Sequence, residues 1–152
     1  TDTWSDAKLM VKNDPELNVR RRKIDPVDAI KLIHSCGGVA VLAHPYLIDK
    51  TILTPDRPET SRHDYILRLI DEGLDGIEAA YTYDKTSYKG DSTPERIESE
   101  VREKYEKKVT FISGGSDYHA DHKKGTKNVR RLGERGLTMD QFDTMRTFLG
   151  PV

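Results

Sequence analysis

Val39-Ala40-Val41-Leu42-Ala43-His44-Pro45 is the stretch from which the fold is read. Its five leading apolar residues do not alternate with polar ones, which predicts a parallel strand covered on both faces. His44 then falls at or just beyond the strand's carboxyl end, where α/β folds gather their ligands. A single histidine there also fits a core imidazole satisfied by a backbone carbonyl, so this stretch bears on architecture before chemistry.

Outward from it, helices and strands alternate. Upstream, Asp25 as N-cap and Pro26 at the first helical position open a helix. It is expected to bury Val27, Ile30 and Ile33 and to stop at Gly37-Gly38. Downstream, a polar, proline-bearing loop is expected from Pro45 to Thr60. Ser61-Arg62-His63-Asp64 then opens a helix carrying Ile66, Leu67, Leu69 and Ile70, closed by Gly73, and Leu74 to Ala79 reads as the second strand. After a loop from Tyr81 to Asp91, Thr93-Pro94 starts a charged helix to about Lys108 whose apolar content, Ile97, Val101 and Tyr105, makes a narrow stripe. Residues 109–113 form a third strand, and Ala120 to Gly136 a loop. Thr138-Met139-Asp140-Gln141 is a capping box opening a last helix, with Phe142, Met145, Phe148 and Leu149 expected to face inward. Residues 1–23 do not continue the pattern and read as an irregular or helical leading segment before a domain over 24–152. The alternation predicts an α/β fold of parallel strands joined by right-handed crossovers, with all strand carboxyl ends on one face.

The third strand empties into Gly114-Gly115-Ser116-Asp117-Tyr118-His119. An Asp and a His two residues apart project to the same side of an extended backbone, so a carboxylate and an imidazole can meet one divalent cation. The glycines permit a sharp turn and a close approach. Asp-x-His alone is also the composition of a solvated turn. Its pairing with His44, reached by a similar strand-to-loop transition, shifts the balance toward a shared site of His44, Asp117 and His119. Glu78, at the end of Asp75-Gly76-Ile77-Glu78, is placed to orient a ligand histidine or to bind metal, the supporting role being the better supported.

Composition sets outer bounds. The 152 residues suffice for one domain with a modest core, whereas a closed β/α barrel usually needs ~200 or more. A formal charge of −1 provides no global field for nucleic acid or an anionic membrane, so any phosphate recognition is local. The single cysteine, Cys36, excludes an internal disulfide and fits a cytoplasmic location; at a helix carboxyl end it reads as a buried small hydrophobe rather than a thiolate. No run approaches the ~18 apolar residues of a membrane span, and the start Thr1-Asp2-Thr3-Trp4 lacks signal-peptide features.

Together, Gly37-Gly38-Val39-Ala40-Val41-Leu42-Ala43-His44-Pro45, Gly73-Leu74-Asp75-Gly76-Ile77-Glu78 and Gly114-Gly115-Ser116-Asp117-Tyr118-His119 resemble the polymerase and histidinol phosphatase (PHP) superfamily, most closely its stand-alone phosphoesterases. The resemblance covers about residues 24 to 120. It implies the later part of a distorted β/α barrel, incomplete in this chain, with divalent metals at its carboxyl face. Carried over by position, it implies His44, Asp117 and His119 as metal ligands, with Asp117 and His119 at the catalytic centre. PHP proteins open with a His-x-His strand that residues 1–23 do not supply, so the expectation is a carboxyl-terminal portion holding part of the site, the isolated chain being inactive or weak.

Imidazole and carboxylate donors suit Zn, Mn or Fe, and a metal-bound hydroxide makes a protein nucleophile unnecessary. Ser116 accordingly lacks a nucleophile-elbow context. The implied activity is hydrolysis of a phosphate ester in a small phosphorylated metabolite, a nucleotide or a short nucleic acid, without a membrane partner. Exposed apolar surface of an incomplete barrel would be covered by Leu9, Met10, Val11, Leu17 and Val19 or by another chain, such as a second copy in a homo-oligomer. Two other readings remain open: a non-catalytic PHP-like binding or assembly module, and an unrelated open α/β domain of receiver type. His122, His63 and the run Arg20-Arg21-Arg22-Lys23 read as solvated surface, His34 as a helix residue near a carboxyl end that favours an imidazole, and Tyr81, Tyr83 and Tyr88 either as base-stacking or as packing residues.

Overall fold

The computed structural model describes residues 3–14, 16–17, 23–54, 57–120 and 128–149. His122, Arg20, Arg21, Arg22 and Val19 lie outside them. The described residues form an α/β fold with an open, parallel three-stranded sheet and no closed barrel. No helix among them is long and apolar enough to cross a membrane.

Helix α1 (Trp4–Asn13) is capped by Thr3, whose hydroxyl accepts from the Asp6 N–H at 3.2 Å. It buries no residue, and Leu9, Met10, Val11 and the following Leu17 are exposed rather than covering the sheet. Three consecutive apolar residues point in three directions 100° apart on a helix, so they make no stripe that a core can accept.

Helix α2 (Pro26–Ser35) begins as the sequence predicts, the Asp25 carboxylate accepting from the Val27 N–H at 3.0 Å. It ends in a Schellman arrangement: the Gly38 N–H donates to the Ile33 carbonyl and the Gly37 N–H to that of His34, with Gly37 left-handed at φ 75°. Val27 and Ile30 pack with Ala40, Leu69 and Leu74, but Ile33 is 38 % exposed. The strand beyond it, β1 (Val41–Leu42), is an edge strand whose Val41 is 40 % exposed, so the expectation of cover on both faces fails there and the end of α2 overhangs the sheet. Cys36, at this overhanging end, is exposed rather than buried.

The expected loop after His44 is more ordered than its composition suggests. Pro45–Leu47 forms a 3-10 turn, and β2 (Thr51–Thr54) pairs antiparallel with β3 (Arg57–Ser61), with an irregularity between Ile52 and Thr54. Pro58 is tolerated because a two-stranded ribbon leaves each strand an unpaired side. Ser61 then caps α3 (Arg62–Asp71), which buries Ile66 and Leu69.

The central strand β4 (Gly76–Ala80) pairs in parallel with β1 through Val41 and Leu42, and with β5 (Phe111–Gly114) on its other side. The order β1-β4-β5 places the three carboxyl ends together. Helix α4 (Pro94–Tyr105), capped by Thr93, buries the expected stripe of Ile97, Val101 and Tyr105 among Ile66, Ile77 and Ile112. In α5 (Met139–Leu149) the capping box forms, with Thr138 and Gln141 each accepting from the other's backbone N–H. Its apolar residues do not face a core: Phe142, Phe148 and Leu149 are exposed, and only the ring of Phe148 stacks on Phe111, at 6.4 Å. α5 lies against β5, and the described sheet ends at that strand, so no further surface meets the helix.

Candidate functional site

The site is built from the main chain first. Beyond β1 the chain turns at His44, which adopts a left-handed conformation (φ 34°, ψ 59°), and Pro45 fixes the direction of exit. A non-glycine residue there is uncommon and held by its surroundings. Here the surrounding is Glu78 of the central strand, whose Oε2 accepts the His44 backbone N–H at 2.7 Å. Glu78 thus supports His44 through its amide, not through its imidazole. The His44 ring lies 5.1 Å from that of Tyr81, centroid to centroid, and no described residue bonds its nitrogens.

Beyond β5, the Gly115 N–H continues the ladder to the Ala80 carbonyl. Gly114 is required by close approach: a Cβ there would stand 2.9 Å from that of Ala80 and 3.2 Å from the Gly136 backbone. Ser116 is buried, its carbonyl accepting from the Thr82 hydroxyl, and Asp117 is left-handed at φ 52°. The Asp117 Oδ2 accepts from the Tyr81 hydroxyl at 3.0 Å and from the Arg130 guanidinium at 2.7 Å. His119 is largely exposed, with its Nδ1 2.7 Å from the Asp117 carbonyl and 3.5 Å from the Asp117 Oδ1. An Nδ1–H donated to that carbonyl leaves Nε2 as the free donor atom of the ring.

Tyr81 therefore joins the two strand exits, touching the His44 ring with its own and Asp117 with its hydroxyl. Burial, reinforced by the Asp117 hydrogen bond and charge, pushes its hydroxyl up to about 12, so it acts as a donor at neutral pH. Burial also raises the Glu78 carboxyl to about 7; the His44 N–H opposes that rise and the Asp117 charge adds to it. Two carboxylates and two imidazoles thus border one end of the sheet, with Arg130 the cation beside Asp117. Among the described residues, no three of His, Cys, Asp or Glu are grouped so as to hold a metal ion.

Neither Arg130 nor the linking role of Tyr81 was identified from the sequence. Arg130 lies thirteen residues from Asp117 in a stretch without periodicity, so nothing local signals its partner. Tyr81 and Tyr83 are fully buried and pack edge to face at 4.9 Å, which favours the packing reading over base stacking. His34 is held by Asp75, with Nε2 2.7 Å from its Oδ2. No family model, curated protein or solved structure matches this chain.

Proposed function

We propose that the chain is part of a PHP-type, metal-dependent phosphoesterase, the three parallel strands belonging to the later portion of a distorted β/α barrel. The observation that carries this reading is that His44 and the Asp117/His119 pair leave the two strands flanking β4 at the same end, with Glu78 and Tyr81 between them. The donor types, imidazole and carboxylate, suit a divalent cation, although among the described residues they are not grouped closely enough to hold one as they stand. An imidazole whose nitrogens bond no described residue, a second imidazole oriented by a carbonyl, and a carboxylate beside another whose charge is disfavoured by burial would all gain from a positive ion.

His44, Asp117 and His119 would hold the metal, with Zn, Mn and Fe all suited to these donors. Bound there, the ion would supply hydroxide near neutral pH and neutralise phosphoryl oxygens. The chain's own contribution is positioning. Glu78 holds the left-handed turn that presents His44, Tyr81 and Arg130 fix the Asp117 carboxylate, and the Asp117 carbonyl sets the His119 tautomer. The substrate class is a phosphate ester of a small metabolite, a nucleotide or a short oligonucleotide.

One observation favours a second reading, a non-catalytic binding or assembly module: the Arg130 guanidinium already neutralises Asp117. The two readings separate on metal content. Elemental analysis and calorimetric titration with Mn²⁺ and Zn²⁺ should show binding that is lost in His44→Ala and Asp117→Asn. Arg130→Met should tighten Mn²⁺ binding several-fold by removing the competing cation. No metal uptake by either the parent chain or Arg130→Met would refute the phosphoesterase reading and leave the module.

A further inference from the structure

A cleft of about 550 Å³ is lined by residues of the 3-10 turn that follows His44 together with Lys50, Arg62 and Lys89. The best-anchored cation of its lining is Arg62, the first residue of α3. The guanidinium lies 3.7 Å over the ring of Tyr46, and Nη1 donates to the Ile48 carbonyl at 3.1 Å, with a longer contact to that of Tyr46. The backbone of Arg62 is anchored too, its N–H donating to the Lys50 carbonyl at 3.0 Å. A long cationic side chain is thereby fixed before any ligand arrives, which lowers the entropic cost of using it. No described residue accepts from its Nε or Nη2.

Lys50 and Lys89 line the same cleft and have no carboxylate partner among the described residues. Asp49 is the single acidic residue of the lining among the described residues. Glu100 shares an adjoining recess with Arg62; it is paired with Lys104 but also feels the Arg62 charge, so it offsets that cation in part and leaves Lys50 and Lys89 uncompensated by it. Three cations against one carboxylate suit a dianion better than a monoanion. The remaining wall is formed by Ile48, Leu47 and Tyr88, whose ring is braced edge-on against Tyr83 at 5.5 Å; it suits an apolar or planar group. The volume falls within the range of small-ligand sites.

We infer that this cleft binds a small organic phosphate monoester, the phosphoryl group on Arg62, Lys50 and Lys89 and the organic part against Tyr88 and Ile48. The assignment is independent of the hydrolytic reading, since it uses none of His44, Asp117 or His119.

Phenylphosphonate, a non-hydrolysable stand-in for an aryl phosphate, tests it by calorimetric titration of the full chain with EDTA present, so that no metal contributes. It should bind about tenfold or more tightly than benzoate, which carries one charge. Arg62→Lys, which keeps the charge but loses the planar fork, should weaken binding about tenfold. Lys89→Glu should weaken it further than salt screening alone, and Asp117→Asn should leave it unchanged. If Arg62→Lys fails to fold by circular dichroism, the exposed Lys89→Glu and Lys50→Glu decide the matter. The inference is overturned if phenylphosphonate shows no millimolar binding, if the Lys89 and Lys50 variants bind it as the parent does, or if Asp117→Asn abolishes binding. A phosphotyrosyl peptide binding a hundredfold more tightly than phenylphosphonate would overturn the small-molecule assignment.

Discussion

Glu78→Gln isolates the electrostatic condition of the candidate site. The carboxyl of Glu78 is raised from an ordinary 4.5 to about 7, first by burial and then by the Asp117 charge, against the His44 N–H. For an acid, a raised folded value means that the native state holds its proton where the unfolded state has lost it. Stability from this group is therefore complete below about pH 4.5 and is lost as pH rises through about 7. The full shift corresponds to about 3 kcal/mol, and solvent screening of this partly exposed group reduces it to about 1–2 kcal/mol. A glutamine keeps a carbonyl oxygen for the His44 amide but has no charge to desolvate. The difference in stability between Glu78→Gln and the parent should therefore move in favour of the variant by about 1–2 kcal/mol between pH 5 and pH 8.5. Urea unfolding followed by circular dichroism at several pH values measures it, and taking the difference cancels the contributions common to both proteins. A pH-independent difference, or one moving toward the parent, would show that Glu78 is not held as a high-pKa acid.

Ile97→Ala, in the fully buried stripe of α4, should cost about 2–4 kcal/mol in the same unfolding assay, whereas Leu132→Ala, on an exposed side chain, should cost little. Burial raises the Asp75 carboxyl, but hydrogen bonds from His34 and the Ala40 N–H outweigh it and hold the group below its ordinary 3.8. Its contribution is present above about pH 4 and lost as pH falls through the lowered value, so Asp75→Asn should flatten the acid limb of an unfolding profile. The 152-residue chain alone should hydrolyse phosphoesters slowly or not at all even with added Mn²⁺; rapid turnover abolished by EDTA would show that its ligand set is sufficient.

What was legible in the sequence follows from how local each signal is. Asp25, Ser61, Thr93 and Thr138 cap the helices assigned to them because a cap is decided within four residues. The three parallel strands were visible as apolar runs. Their partners' extent was not: whether Ile33, Val41 or Phe148 is covered depends on what flanks β1 and β5, which no local pattern records. The β2–β3 ribbon was hidden because Thr51 to Ser61 is largely polar and carries two prolines, and its pairing is with itself rather than with the core. At the site, His44, Asp117 and His119 were singled out from their strand-end positions, and the structure brings those strand ends to one side of the sheet. Arg130 was not, since an ion pair across a loop has no periodicity; Glu78, read as orienting a ligand histidine or binding metal, meets His44 at its backbone amide.

The bond between the His44 amide and Glu78 gives the molecule a spectroscopic reporter at its own centre. An amide proton shared with a charged carboxylate is drawn toward the acceptor more strongly than one shared with a neutral acid. In a ¹⁵N-labelled sample, the His44 cross-peak should therefore migrate with pH along the titration of a carboxyl whose own proton exchanges too fast with water to be seen. Any ligand or ion that changes the charge of Glu78 should move the same peak, so occupancy can be followed by one resonance without a tag, a dye or turnover.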